Sequence, residues 1–465
     1  MLPLNLIEPV VTFRNSQGTA VRGTLIGLQR RALVMEIYNP YSIVQVSEVL
    51  GDVTVRAGPT IVYKGRATVS SLLNTGLMAV ASVTLLDEWS DLNATAGSAA
   101  AIGPEARRFV EEWESRFRIR ASYQVAVSEL RAFLTDTARW LDQADLSTSL
   151  PRADDGRLRD DVFNQIAEPI LAKLSSYADR LEGEAEQVPE EESLAHRQFA
   201  QGALHPLLLR APFAYRAFSK PLGYAGDYEM VNQILGDPRQ GASTYFQVVN
   251  SMYLRMAVAR AHRNRIDILV DRLRRTAAQA EAEGRPFRVL NVGCGPAVEV
   301  LRFVEQASAP GVLDFTLLDF NEETLAFVRQ RLAQMPAVVR AALSLRLVHR
   351  SVHELLKSAA RPQPADATYD FIYCAGLFDY LSDKVCSRLV RYFLAHAAPD
   401  SRVLVTNVHR NNPDRRTMEH ILEWHLIYRD EPQLSAVFPP ESGTPTTFTD
   451  ATGVNLFAEL TCDGG

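Results

Sequence analysis

Two glycines two residues apart, Gly293 and Gly295, follow the apolar run Val289, Leu290 and Val292, and Asp319 closes a second apolar run from Leu313 to Leu318. Short runs of this kind suit buried parallel strands. Between them Ala297 to Val304 resumes at helical spacing, so the order is strand, glycine turn, helix, strand. Glycines let the backbone approach a ligand closely, and the following helix offers its N-terminus to polar groups. A carboxylate at the tip of the second strand accepts hydrogen bonds from a ribose diol, which is nucleoside-binding chemistry. The spacing argues against a hydride-carrying dinucleotide. The third glycine of G-x-G-x-x-G falls on Val298, so the tight helix approach that a pyrophosphate needs is not supplied.

The stretch resembles motif I of the class I methyltransferases, acidic-x-G-x-G-x-G, read here as Asn291, Gly293, Gly295 and Ala297. That resemblance implies S-adenosyl-L-methionine as cofactor, held by Asn291, Gly293, Cys294, Gly295, Asp319 and Phe320. Asn291 replaces the usual carboxylate near the methionine amino group, and Ala297 replaces the last glycine. Ser351 and Val352 follow the third strand, where methyltransferases place an adenine contact, and Ala375 and Gly376 follow the fourth, YDFIYC.

Methyl transfer from a sulfonium is an in-line displacement, so a protein mainly supplies alignment and, for a protonated nucleophile, a base. The acceptor side is expected beyond the fourth and fifth strand tips, at Asn407, His409, Trp424, Tyr428 and Arg429. His409 is the best-placed base, or else a structural polar residue. Arg429 can clamp a carboxylate bidentately, and Trp424 precedes Tyr428 by one helical turn; packing of a helix on the sheet is the alternative for both. Upstream, KPLGYAGDYEMVNQIL combines bend-permitting Gly223 and Gly226 with Tyr224, Asp227 and Tyr228. This loop is expected to close over the methyl donor or acceptor, unless Asp227 only caps a helix starting at Tyr228.

The elements that must position these residues fall into three parts. With 465 residues, two or three domains are expected. Residues 1–95 read as an antiparallel β-barrel, with VVTFRN, AVRGTLIGL, RALVMEI, IVQVSEVL, TIVYKGRATVSSLL and MAVASVTLL as strands. The phrase VRGTLIGLQRRALVMEI resembles a PilZ-type domain, whose familiar ligand is cyclic di-GMP. The motif D/N-x-S-x-x-G is replaced by Gly27, Gln29 and Ala32, so tight cyclic di-GMP binding is not expected; Arg30 and Arg31 either hold a phosphate or are solvated. Residues 100–284 read as a helical linker or lid: one long helix from residue 105 to 145, another over 158–184, an acidic solvated loop at 182–192, a helix towards Leu209 and one over 251–280. On that last helix Arg260, His262, Arg263 and Arg265 are read mostly as a solvated face. Residues 285–465 read as a Rossmann-like α/β class I methyltransferase domain, including a helix over 414–429 and a closing antiparallel hairpin.

Net charge is −6 at pH 7, which gives no general attraction to nucleic acid or anionic membranes. No run reaches the length of a membrane span, and four cysteines without metal-ligand spacing suit a reducing cytoplasm; no metal is expected. Together GYAGDYEMVN, NVGCGPAVE, YCAGLFDYL, WHLIYR and GVNLFAE resemble the bacterial family named for making the 3-hydroxypalmitic acid methyl ester signal, from about Lys220 onwards. The resemblance implies O-methylation of a 3-hydroxy fatty acid carboxylate to give a quorum-sensing ester. His409 and Arg429 would then orient the carboxylate, and the barrel would regulate or dock a partner protein. A different small-molecule or protein acceptor, or a non-catalytic sensor, stays open.

Overall fold

The computed structural model describes residues 10–37, 44–57, 60–74, 79–89, 118–306, 313–337, 343–359 and 368–462, with Arg340 and a few positions between 102 and 111. The single long helix expected over 105–145 does not hold: residues 118–120 are not helical, and Arg120 takes ψ 132 just before the helix that starts at Ala121. The helix after this break is Ala121–Leu146, whose buried Tyr123, Val127, Leu130, Leu134 and Leu141 form one apolar stripe.

Strands β1 (Val10–Arg14), β2 (Ala20–Leu28), β3 (Ala32–Ile37), β4 (Val49–Ala57), β5 (Thr60–Asn74) and β6 (Ala79–Leu85) close into an antiparallel barrel in the order β1-β2-β3-β6-β5-β4. Alternation in β2 and β3 sends Val21, Leu25, Leu33, Met35 and Ile37 inward. One expected strand is displaced. IVQVSEVL is not extended through its middle: Ser47 turns with φ 63, Glu48 is buried in that turn, and β4 begins only at Val49. Glu48 holds the turn by accepting hydrogen bonds from the backbone N–H groups of Ser16 and Gln45.

The middle of the chain packs as helices Asp160–Glu186, Glu190–Leu208, Pro212–Ser219, Tyr228–Leu235, Thr244–Arg255 and Ala257–Ala282. The acidic stretch 182–192 is not a solvated loop. Only three residues separate the two helices there, and Glu182 accepts from the backbone N–H groups of Arg416 and Thr417, capping the helix Arg415–Leu422. The basic helix expected over 251–280 is divided at Met256, whose ψ of 153 breaks the helical path.

The C-terminal sheet consists of β7 (Phe287–Val292), β8 (Leu313–Asp319), β9 (Leu343–His349), β10 (Tyr369–Cys374), β11 (Ala397–Val408), β12 (Thr446–Thr449) and β13 (Asn455–Thr461). Its order is β12-β13-β11-β10-β7-β8-β9. Strands β7 to β11 run parallel, and β13 pairs antiparallel with both β11 and β12. The order reverses between β7 and β10, which opens a crevice at the carboxyl ends of those strands. Both faces are covered, by the Ala257–Ala282 helix and Val298–Gln306 on one side and by Asp383–Ala395 on the other.

The expected helix over 414–429 stops at Leu422. Glu423 takes φ 49, and the chain then continues in non-helical form to Arg429. The turn is fixed by buried charge: the Glu423 carboxylate receives Arg197 Nη1 at 2.8 Å and Gln201 Nε2 at 2.8 Å. Trp424 and Tyr428 therefore do not share a helical face.

Candidate active site

A cleft opens at the crevice between β7 and β10, and its floor is the glycine turn. Gly293 and Gly295 take φ 72 and 53, values open to glycine at little cost. A Cβ on Gly293 would lie 3.3 Å from Leu377 Cβ. Ala297 adopts φ 49 as well, so the turn keeps its left-handed form without the last glycine, at a cost of about 1 kcal/mol.

Asp319, at the tip of β8, accepts the Gly295 N–H at 3.1 Å on one carboxylate oxygen and the Asn321 N–H at 2.9 Å on the other. Burial pushes its carboxyl up to about 6, against the downward pull of those backbone donors. Phe320, Arg350 and Val352 continue the wall on this side. Ser351 does not line it; its N–H and hydroxyl bind the Glu354 carboxylate and so start the helix Val352–Ala359.

Asn291 donates to Glu299 Oε1 at 3.1 Å and to the Tyr373 hydroxyl oxygen at 3.0 Å, while its buried Oδ1 has no hydrogen-bond partner among the described residues. Glu299 lies in the first turn after the glycine loop and also accepts from Tyr373 at 2.8 Å. A carboxylate thus stands beside the amide where motif I has an acid, supplied from eight residues downstream. Burial raises the Glu299 carboxyl, opposed by the Tyr373 hydrogen bond and by Arg265.

Arg265 and His262 correct the reading of a solvated basic face. Both are buried and line the cleft. Arg265 Nη1 has no hydrogen-bond partner among the described residues and lies 2.9 Å from where a Cβ on Gly376 would stand. Gly376, at φ 100, is therefore needed both for its conformation and for the room it leaves a guanidinium. His262 Nδ1 donates to the Val258 carbonyl at 2.8 Å, leaving Nε2 as an acceptor. Burial, with Arg265 beside it, lowers His262 to about 3, so the ring is neutral. A signal for both was present in the sequence: Val258, His262, Arg265 and Leu269 recur at helical spacing on one buried face.

The loop before the helix Tyr228–Leu235 forms the opposite wall, with Tyr224, Ala225, Gly226 and Tyr228 facing the cleft. Tyr224 packs on Phe320 with ring centroids 4.9 Å apart, and the Tyr228 hydroxyl donates to Glu323 at 2.7 Å. Gly226 approaches so closely that a Cβ there would meet the Tyr380 hydroxyl at 2.5 Å. Asp227 caps the helix by accepting the Met230 N–H at 2.9 Å and pairs with Arg216 at 2.8 Å. This segment starts a helix and also walls the cleft.

Trp424 and Leu426, on the segment after Glu423, close the remaining side with Val408, Leu377 and Tyr380. Trp424 Nε1 donates to the Tyr380 hydroxyl oxygen at 2.9 Å. From the barrel, Gln45 reaches the same cleft.

Four of the five expected acceptor-side residues, Asn407, His409, Tyr428 and Arg429, are not brought to the cleft. Asn407 is buried, its Nδ2 donating to the carbonyls of Val408 and Ile427. The Arg429 guanidinium is buried and committed to the carbonyls of Phe378 and Leu381 and to Asp383 and Asn407, so it is not free to clamp a ligand. His409 Nδ1 accepts the Asn411 N–H at 3.2 Å and Nε2 faces Glu431 at 3.3 Å, a structural pairing away from the reacting side. Tyr428 is turned under the Arg415 guanidinium, which lies 4.6 Å from its ring centre.

Residues 289–400 match the family model described as a methyltransferase domain. This part of the chain is a methyltransferase domain. No curated protein matches the sequence. Among solved structures, a possible exported protein from Bordetella parapertussis is 17% identical with TM-score 0.41, covering 64% of this chain and 97% of that one. Magnesium protoporphyrin IX methyltransferase from Synechocystis PCC 6803 with bound SAM is 11% identical with TM-score 0.33, covering 50% and 88%. The N-methyltransferase NodS from Bradyrhizobium japonicum WM9 in complex with S-adenosyl-l-homocysteine is 12% identical with TM-score 0.28, covering 41% and 86%. The reading of the site rests on its own residues. They fit S-adenosylmethionine: Asp319 suits the ribose diol, the Asn291–Glu299 pair the methionine ammonium, and the unpartnered Arg265 Nη1 the methionine carboxylate.

Proposed function

We propose that the chain methylates the carboxylate of a 3-hydroxy fatty acid, giving its methyl ester. The observation that carries this reading is convergence. Four of the five motif stretches that resemble the 3-hydroxypalmitic acid methyl ester family wall one cleft: Tyr224, Gly226 and Tyr228; Asn291 to Glu299; Ala375 to Tyr380; Trp424 and Leu426.

When bound, S-adenosylmethionine would supply an electrophilic methyl group on its sulfonium, which a carboxylate oxygen would take in line with release of the thioether S-adenosylhomocysteine and with no proton transferred. Asp319, Asn291, Glu299 and Arg265 would fix its orientation. Tyr224 and Gly226 exclude water from above, and Trp424, Leu426, Leu377 and Val408 give the acceptor an apolar surface. The absence of a proton step agrees with the chemistry of His262. A ring held at about 3 is a poor general base near neutral pH, and it serves better as a fixed hydrogen-bond acceptor for a hydroxyl.

The test is a chain-length series of 3-hydroxy acids, with the matching acids lacking the hydroxyl, incubated with the full chain and methyl donor. Ester formation from the 3-hydroxy acids supports the reading. Methylation of amines or alcohols but not of any acid in the series refutes it.

A further inference from the structure

Gln45 belongs to the barrel by sequence but to the cleft by position. It is 3% exposed, and its side-chain Nε2 has no hydrogen-bond partner among the described residues. Its own backbone is fixed, the N–H donating to Glu48 Oε2 at 2.7 Å. The residues after it are fastened to both segments that cover the cleft. Ser47 Oγ lies 3.2 Å from the Glu423 carbonyl oxygen and 3.0 Å from that of His425, and accepts the His425 N–H. Val49 N–H donates to the Gly223 carbonyl at 2.6 Å. One side of the 45–49 turn thus holds the segment carrying Trp424 and the other holds the loop carrying Tyr224.

A buried amide nitrogen left without an acceptor costs free energy, and such groups are normally satisfied by protein, water or ligand. The polar groups of the methyl donor already have counterparts in Asp319, Asn291, Glu299 and Arg265. We propose that the barrel completes the acceptor end of the cleft, with Gln45 Nε2 donating a hydrogen bond to an oxygen of the methyl acceptor. This deepens the methyl-transfer reading and rests on it. The class it selects is an acceptor with a hydrogen-bond-accepting oxygen beside the reacting atom, such as a carboxylic acid, and it makes the barrel part of the substrate site.

The test uses the full chain as wild type, Gln45→Leu and Gln45→Met. Transfer of label from methyl-tritiated S-adenosylmethionine is followed into a lipid and metabolite extract over a dilution series, alongside calorimetry with S-adenosylhomocysteine and thermal unfolding. The half-saturating extract concentration is expected to rise by about tenfold or more in both variants, with S-adenosylhomocysteine affinity within about twofold of wild type. Unchanged half-saturation overturns the proposal. So does a loss of S-adenosylhomocysteine affinity that matches the loss of rate, which would assign Gln45 to the cofactor end. Gln45→Met keeps the side chain's length and decides the matter if Gln45→Leu does not fold. Transfer missing already in the wild type refutes the methyl-transfer reading, and this inference with it; transfer present in the wild type but indifferent to Gln45 refutes this inference alone.

Discussion

Tyr224 lies with its ring 4.9 Å, centre to centre, from Phe320, the residue after the strand-tip Asp319. A loop far upstream of the sheet is thereby tied to the edge where a nucleoside would sit. Tyr224→Ala is expected to weaken S-adenosylhomocysteine binding about tenfold in calorimetry, because the covering ring is lost. Tyr228→Phe should cost less than about 1 kcal/mol, since its hydroxyl meets Glu323 on the surface of the helix Glu322–Ala333 that follows β8. Equal, large losses in turnover from Tyr224→Phe and Tyr228→Phe would instead place those hydroxyls on the acceptor.

Asp319→Ala should weaken cofactor binding by about 2 kcal/mol, the value of a charged hydrogen bond. The pH dependence has a definite sign. Burial raises this carboxyl from 3.8 to about 6, and a ribose diol needs the ionised form as acceptor. Affinity is therefore full above about pH 7 and falls about tenfold per unit as pH drops below 6, protons competing with the diol. In the protein without cofactor the sign is opposite: the raised carboxyl favours folding below pH 3.8, and that contribution is lost as pH rises through 6. Titrations at several pH values check this, and Asp319→Asn should flatten the profile.

Arg265→Gln is expected to weaken S-adenosylmethionine by about tenfold or more while leaving adenosine binding nearly unchanged, because only the former carries a carboxylate for the buried cation. Equal losses for both ligands would show that the change acts through the fold. Gly376→Ala should resemble it, since a methyl group there meets Arg265 Nη1 at 2.9 Å.

Arg429→Met should lower stability by about 3 kcal/mol, because the carbonyls of Phe378 and Leu381 lose their donor in a buried place. Thermal unfolding measures it. His409→Ala should leave turnover within about twofold.

The glycine turn, Asp319 and the closing hairpin were legible because they repeat a local pattern that strand, turn and helix geometry enforce. The loop at Tyr224 was legible for its composition. What was not legible depended on contacts between distant segments. Glu423 halts a helix only because Arg197 and Gln201 reach it, and that single turn moves Trp424 into the cleft and takes Tyr428 out of it. Arg429 and Arg265 look alike in sequence. One is consumed by main-chain carbonyls, while the other keeps a free donor, and only packing separates them. Gln45 was hidden in what read as an ordinary strand, because the turn at Ser47 is set by contacts with Glu423 and His425.

The most direct measurement is mass spectrometry of the product formed when the full chain is given deuteromethyl S-adenosylmethionine and 3-hydroxypalmitate. The expected result is the labelled methyl ester, formed by the wild type and strongly reduced in Asp319→Ala. Binding of S-adenosylhomocysteine without any labelled ester, or label recovered only on nitrogen or on the 3-hydroxyl, would contradict it.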